Sequence, residues 1–222
     1  VDLAHTHYEP AGSGPHPTIL ALHGWGASAF DLISVAPYLG AGRVQMLCPQ
    51  GGVTVPLGEG MSGFGWFPLS SVGQITEAGS IERAADALQE FLAQARARYA
   101  IDPRKLVVLG FSQGGVLAYL LALREPGAFA GLAALSSWLP PTMLAKLSVS
   151  DAHRQLPTLI QHGSADEIIA VARARQSVEA LRGLGVPLTY REYEMGHEIN
   201  AQSLADLGTW LDEKVFSPII LA

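Results

Sequence analysis

Apolar residues in this chain fall into short unbroken runs separated by longer stretches in which they recur every three or four positions. Runs at 18–22, 43–48, 105–109, 131–135, 158–161 and 188–193 have strand length, and their lack of polar alternation predicts strands covered on both faces. The clearest helical stretch is 78–99, where Ile81, Ala85, Leu88, Phe91, Leu92 and Ala95 share one face while Glu82, Arg83, Asp86, Gln89 and Arg96 fill the others. Further helices are predicted at 115–124, 176–184 and 199–215, the last with Leu204, Leu207, Trp210 and Leu211 on one side. Strand and helix therefore alternate. That order predicts an α/β fold with a mainly parallel central sheet, helices on both faces and right-handed crossovers, and it predicts a functional site at the carboxyl ends of the strands.

Two stretches break the rhythm. Residues 50–76 are glycine-rich and carry Phe64, Trp66 and Phe67, and residues 136–150 carry Trp138, Leu139, Met143 and Leu144 around Pro140 and Pro141. Loops of this length in a compact domain commonly bind something; otherwise their aromatic side chains close the core over the strand ends.

Composition narrows the classes. The 222 residues suit a single domain, 1–222, and 49% hydrophobic against 15% charged residues fits a sheet buried on both sides. A formal charge of −6 with no Lys/Arg cluster excludes nucleic acid as an electrostatic partner. No apolar run reaches spanning length, so no stable membrane insertion is expected. Residues 1–18 lack the basic and apolar regions of a signal peptide, and a cytoplasmic location is expected. Cys48 is the only cysteine and lies in an apolar run, which reads as a buried packing thiol rather than a nucleophile.

The chemistry begins at KLVVLGFSQGG, 105–115. Here a serine stands between two glycines where a buried strand turns into a helix, the pattern of a nucleophile elbow. The apical residue of such a turn is strained, and glycines on either side keep neighbouring backbone clear of it. A serine hydroxyl needs a base, and the base needs an orienting acid. Of the seven histidines, His5, His7 and His16 are expected to be solvated, His153 to lie on the surface, and His23 and His162 to tie loop backbone at strand ends. His197, in the Met195–Glu198 stretch between the last strand and the last helix, is the candidate base. Asp166 follows the strand at 158–161 through a turn of small residues and is the candidate acid, with Glu167 its competitor and Glu198 too constrained to turn back toward the ring. Ser112, Asp166 and His197 run in the order nucleophile, acid, base, that of α/β-hydrolases. The candidate oxyanion donors are the amide of Gln113, at the helix start, and that of Trp25, flanked by Gly24 and Gly26, with the Gly24 amide its competitor.

LHGWG at 22–26, GFSQGG at 110–115, QHGSAD at 161–166 and YEMGHEI at 193–199 together resemble the phospholipase/carboxylesterase family of α/β-hydrolases, which includes acyl-protein thioesterases and small carboxylesterases. The resemblance spans nearly the whole chain. It implies an α/β-hydrolase fold, a Ser112–Asp166–His197 triad, oxyanion amides at Trp25 and Gln113, and no cofactor or metal. It also implies that Trp66 and Phe67 line the substrate cleft, and the aromatic loop residues Trp138 and Leu139 are expected there with them. Two positions depart from the family pattern. Trp25 stands where leucine is usual, and Pro68 follows Trp66–Phe67 where aspartate is common. The expected substrate is a small carboxylic ester with a short-to-medium acyl chain, with a protein thioester or lysophospholipid as the alternative and a non-catalytic binding protein as a remote one. Exposed apolar area on the aromatic loops is what a homodimer would bury.

Overall fold

The computed structural model describes residues 3–70 and 73–216. Seven strands form one sheet: β1 (His5–Tyr8), β2 (His16–Leu22), β3 (Gln45–Pro49), β6 (Ile101–Phe111), β7 (Gly131–Leu135), β8 (Thr158–Gly163) and β9 (Leu188–Tyr193). Their spatial order is β1-β3-β2-β6-β7-β8-β9. Only β1 runs antiparallel to its neighbour. A separate hairpin pairs β4 (Val53–Gly58) with β5 (Met61–Gly65). The helices are α1 (Ser80–Arg98), α2 (Gln113–Arg124), the single turn α3 (Pro141–Leu144), α4 (Val171–Gly183) and α5 (Ala201–Leu211). α5 continues into a wider turn at Asp212–Phe216.

Alternate residues of the same strand enter opposite cores, as the two-residue period of a strand requires. Leu20, Leu22, Leu106 and Val108 pack with residues of α1, α2 and α4, including Leu88, Leu117 and Leu181. Ile19, Ala21, Val107 and Leu109 pack with Leu207, Trp210 and Leu211 of α5. Both faces of the central strands are thus dry. That is why those strands read as unbroken apolar runs.

The polar start of the chain departs from expectation. His5 and His7 lie on the edge strand β1 and are partly buried, with His5 Nε2 2.6 Å from the Tyr99 hydroxyl and His7 Nε2 3.1 Å from Gln45 Oε1. His16 is likewise buried rather than solvated. His153 is also buried. Its Nε2 lies 2.9 Å from the Leu123 carbonyl, and its Nδ1 accepts the Ser150 amide at 3.0 Å. Cys48 is buried as expected, and loss of hydration pushes its thiol up to about 12.

The strand ends set the location of the site. Leu22 pairs with Gly110, Phe111 with Leu135, and Gln161 with Leu135, so β2, β6, β7 and β8 finish along one edge. The chain passes from β2 outward to β3 and then back across to β6. The gap beyond the ends of β2 and β6 is therefore a topological switch point, where open α/β sheets form their ligand crevice.

Candidate active site

β6 ends at Phe111 and α2 begins at Gln113, leaving Ser112 alone to make the turn, with φ 53° and ψ −117°. A non-glycine residue persists at such a φ only when its surroundings hold it. Here they do. The Ser112 amide donates to the Leu135 carbonyl at 2.9 Å, and its own carbonyl accepts from Gly115 N at 3.0 Å and Ser137 Oγ at 2.7 Å. A methyl group at Gly110 would overlap the Gly114 carbonyl, and one at Gly114 would overlap the Leu22 carbonyl. The two glycines are a packing requirement of the elbow.

Asp166 and His197 meet beside this turn. The Asp166 side chain is fully buried, and one oxygen, Oδ1, accepts the amides of Ile168 and Ile169 at 2.9 and 2.8 Å. The other, Oδ2, lies 2.8 Å from His197 Nδ1. An ionised carboxylate only accepts, so this contact puts the proton on Nδ1 and leaves Nε2 as the basic lone pair. The His197 ring packs on that of Phe111, with centroids 4.9 Å apart. That contact sets the imidazole against the residue preceding Ser112. The base loop is tied to the acid loop by Ala165 N donating to Met195 O at 3.1 Å. Asn200 fixes the loop's far end through a reciprocal capping box with Ser203. Glu167, the competing acid, is exposed and makes no hydrogen bond to this histidine among the described residues.

His162 adds a contact that the sequence did not indicate. It is fully buried, with Nε2 2.7 Å from the Ile169 carbonyl and 3.3 Å from Asp166 Oδ2. Both partners accept, so Nε2 carries the proton and helps hold the carboxylate and the loop that follows it. Its Nδ1 is buried with no hydrogen-bond partner among the described residues.

Ser112 and Gln113 open onto a cleft of about 420 Å³ whose walls include Trp25, Trp138 and Ile168. A depression of about 440 Å³ lies around His16, Arg43 and Lys105. That one holds none of the candidate residues. The loop carrying Trp25 is pinned to the hairpin by Gly26 N donating to Phe64 O at 2.9 Å and Phe64 N donating to Ala27 O at 2.7 Å. The Trp25 ring lies against Gly65, where any added methyl would collide with it, and Trp25 remains 36% exposed. His23 secures the base of this loop: its Nδ1 lies 2.7 Å from Gly24 O, and its Nε2 accepts Gly51 N at 3.0 Å. Desolvation lowers its pKa, in keeping with a neutral ring serving one donor and one acceptor role.

Three residues expected to line the cleft are buried and do not border the space onto which Ser112 opens. Phe67 is fully buried in the core. Trp66 is also buried, and its indole N–H donates to the His23 carbonyl at 2.9 Å. The pair instead clamps Gln113, whose Oε1 accepts Trp66 N at 2.8 Å and whose Nε2 donates to Phe67 O at 2.7 Å. Leu139 is buried, with its amide bonded to Ser177 Oγ at 2.8 Å. Of the four, only Trp138 lines the cleft.

A strand–elbow–helix at the switch point of a parallel sheet, with a buried aspartate bonded to a half-buried histidine beside it, defines an α/β-hydrolase fold. The chain belongs to the phospholipase/carboxylesterase family, whose pattern matches residues 4–215, and it is a carboxylic ester hydrolase by class. It is 28% identical to acyl-protein thioesterase 1 of Gibberella zeae over 93% of this chain and 94% of that protein. To the acyl-protein thioesterase 1 of Mycosarcoma maydis it is 27% identical, over 92% and 94%. Among solved structures, esterase PE8 superposes with a TM-score of 0.84 at 25% identity, covering 97% of this chain and all of that one. No helix among the described residues is long and apolar enough to cross a membrane.

Proposed function

We propose that this protein hydrolyses carboxylic esters of short-to-medium acyl chains through an acyl-enzyme on Ser112. The observation that carries the reading is the Asp166–His197 contact, because it leaves Nε2 as the basic lone pair of a ring packed on Phe111, the residue that precedes the strained Ser112. Ser112 Oγ attacks the ester carbonyl carbon while His197 Nε2 takes the hydroxyl proton. The tetrahedral adduct collapses, the C–O bond to the alcohol breaks, and the imidazolium returns that proton to the leaving oxygen. Water then attacks the acyl carbon, giving its proton to His197, and the serine leaves with it. Asp166 holds the tautomer and stabilises the imidazolium. The amides of Trp25 and Gln113 receive the developing oxyanion, each worth about 3 kcal/mol in the transition state.

A thioester substrate is the second reading, and the full-length likeness to proteins named acyl-protein thioesterase favours it. A panel of p-nitrophenyl esters set against acyl thioesters separates the two. Ser112→Ala is expected to lower turnover by about four to six orders of magnitude while leaving thermal unfolding near that of the parent. Labelling by a fluorophosphonate should be stoichiometric in the parent and absent in the variant. Turnover near the parent's would overturn the assignment.

A further inference from the structure

The cleft contains a cation that the proposed chemistry does not use. Arg173 stands in the first turn of α4 and lines the same cleft as Ser112. Its guanidinium carbon lies 4.1 Å from the centroid of the Trp138 ring. No carboxylate among the described residues is within ion-pairing distance of it, whereas Arg175 and Arg182 on the same helix pair with Glu192 and Glu179. Glu167 also borders the cleft; it and Arg173 are both exposed, and no ion pair joins them among the described residues.

The position is costly for the helix. A cation in a first turn faces the positive end of the helix dipole, and this turn carries no acidic residue to offset it. The arrangement is nevertheless fixed from behind. Buried Ser177 donates its hydroxyl to the Arg173 carbonyl at 2.8 Å and accepts the Leu139 amide at 2.8 Å, locking the Arg173 turn of α4 to the segment that bears Trp138. Stacking on Trp138 restricts the guanidinium while leaving its edge N–H groups free to donate.

We propose that Arg173 selects esters bearing an anionic group, a carboxylate or phosphate, on the part of the substrate that lies against Trp138. The inference rests on Ser112 being the nucleophile, and it names a substrate class for that site. A forked cation held on an aromatic face can meet two oxygens of a carboxylate or phosphate in two parallel hydrogen bonds. The neighbouring helix end adds to the attraction.

The test compares charged and neutral esters in two arms. Phenyl hydrogen adipate against phenyl hexanoate places the charge on the acyl side, and 4-acetoxybenzoate against phenyl acetate places it on the alcohol side. Arg173→Gln is expected to lower kcat/KM for the charged member of at least one pair by about ten- to a hundredfold, leave the neutral member within about twofold, and show by that neutral activity that the site is folded. Arg173→Lys should retain part of the preference, because it keeps the charge but loses the fork. In the parent, raising salt from about 0.05 to 0.5 M should erode the charged-to-neutral ratio, which stays flat in Arg173→Gln. A ratio that moves in neither arm, or neutral esters that fall as far as charged ones, overturns the proposal. A parent inactive toward all four esters would instead overturn the assignment of Ser112 on which it rests.

Discussion

Two aromatic pairs sit close to Ser112, and they do different work. Trp66 and Phe67 are buried and spend their backbone groups on the side chain of Gln113, so they hold the residue whose amide is the candidate oxyanion donor. Trp25 and Trp138 line the cleft and meet the space a substrate must occupy. The difference lies in what each loop is fastened to. The first pair follows directly on β5 and is drawn inward by the His23 and Gln113 bonds. The second stands at the tips of strand-end loops, one resting on Gly65 and the other carrying Arg173. Changes on the buried side should therefore cost stability, and changes on the open side should alter selectivity.

The largest expected effect lies in neither pair but at the acid. Asp166→Asn removes the charge that stabilises the imidazolium, and an amide can donate to Nδ1, turning the ring to the wrong tautomer. A fall in kcat of about three to four orders of magnitude is expected. If Glu167→Gln is the crippling change and Asp166→Asn is mild, the acid has been misassigned.

Next comes the core beneath the clamp. Phe67→Ala should destabilise the protein by about 3–5 kcal/mol in urea unfolding, as loss of a fully buried phenyl ring does. Whatever folds should retain the parent's preference among acyl chains. A variant of normal stability with a changed chain-length profile would return Phe67 to the cleft.

This division was only half legible in the sequence. The central strands announced themselves because burial on both faces writes an unbroken apolar run, and the elbow did so because Gly110 and Gly114 are demanded by backbone contacts on each side of Ser112. Asp166 and His197 were legible as candidates from the loops that follow their strands and from the nucleophile–acid–base order, with Glu167 left as a competing acid. The edge strand β1 was missed because all four of its residues are half-buried and polar or aromatic, giving no apolar run. The β4–β5 hairpin lay hidden in a glycine-rich stretch whose Pro56 and exposed Leu57 argue against a strand. For Trp66 and Phe67, hydrophobicity says that a side chain seeks an apolar setting. It does not distinguish a core from a cleft, and here hydrogen bonds to His23 and Gln113 decide. His162 gave no signal beyond its place at a strand end, since its second contact depends on how the loop after Gly163 folds back.

The smallest effect is expected at Trp25, where the comparison of the two pairs is most easily broken. Its amide is the candidate second oxyanion donor, and the backbone that carries it is pinned to Phe64, so replacing the side chain should leave the donor in place. The indole, set against Gly65 on one side, forms part of the cleft wall on the other. A rigid wall there stops a lengthening acyl chain: each methylene that fits an apolar pocket gains about 0.8 kcal/mol, or about fourfold in kcat/KM, and one that meets the ring forfeits that gain. The parent should accordingly prefer acyl chains of roughly C2 to C6. Trp25→Leu should move the optimum to longer chains by a few methylenes, with stability changed little because the ring is 36% exposed. Measuring kcat/KM from acetate to decanoate esters for both proteins, alongside their urea midpoints, decides the matter. An unchanged profile with a lowered midpoint would mean that the indole acts as packing for Gly65 and the hairpin, and Trp25 would then join Trp66 and Phe67 on the structural side.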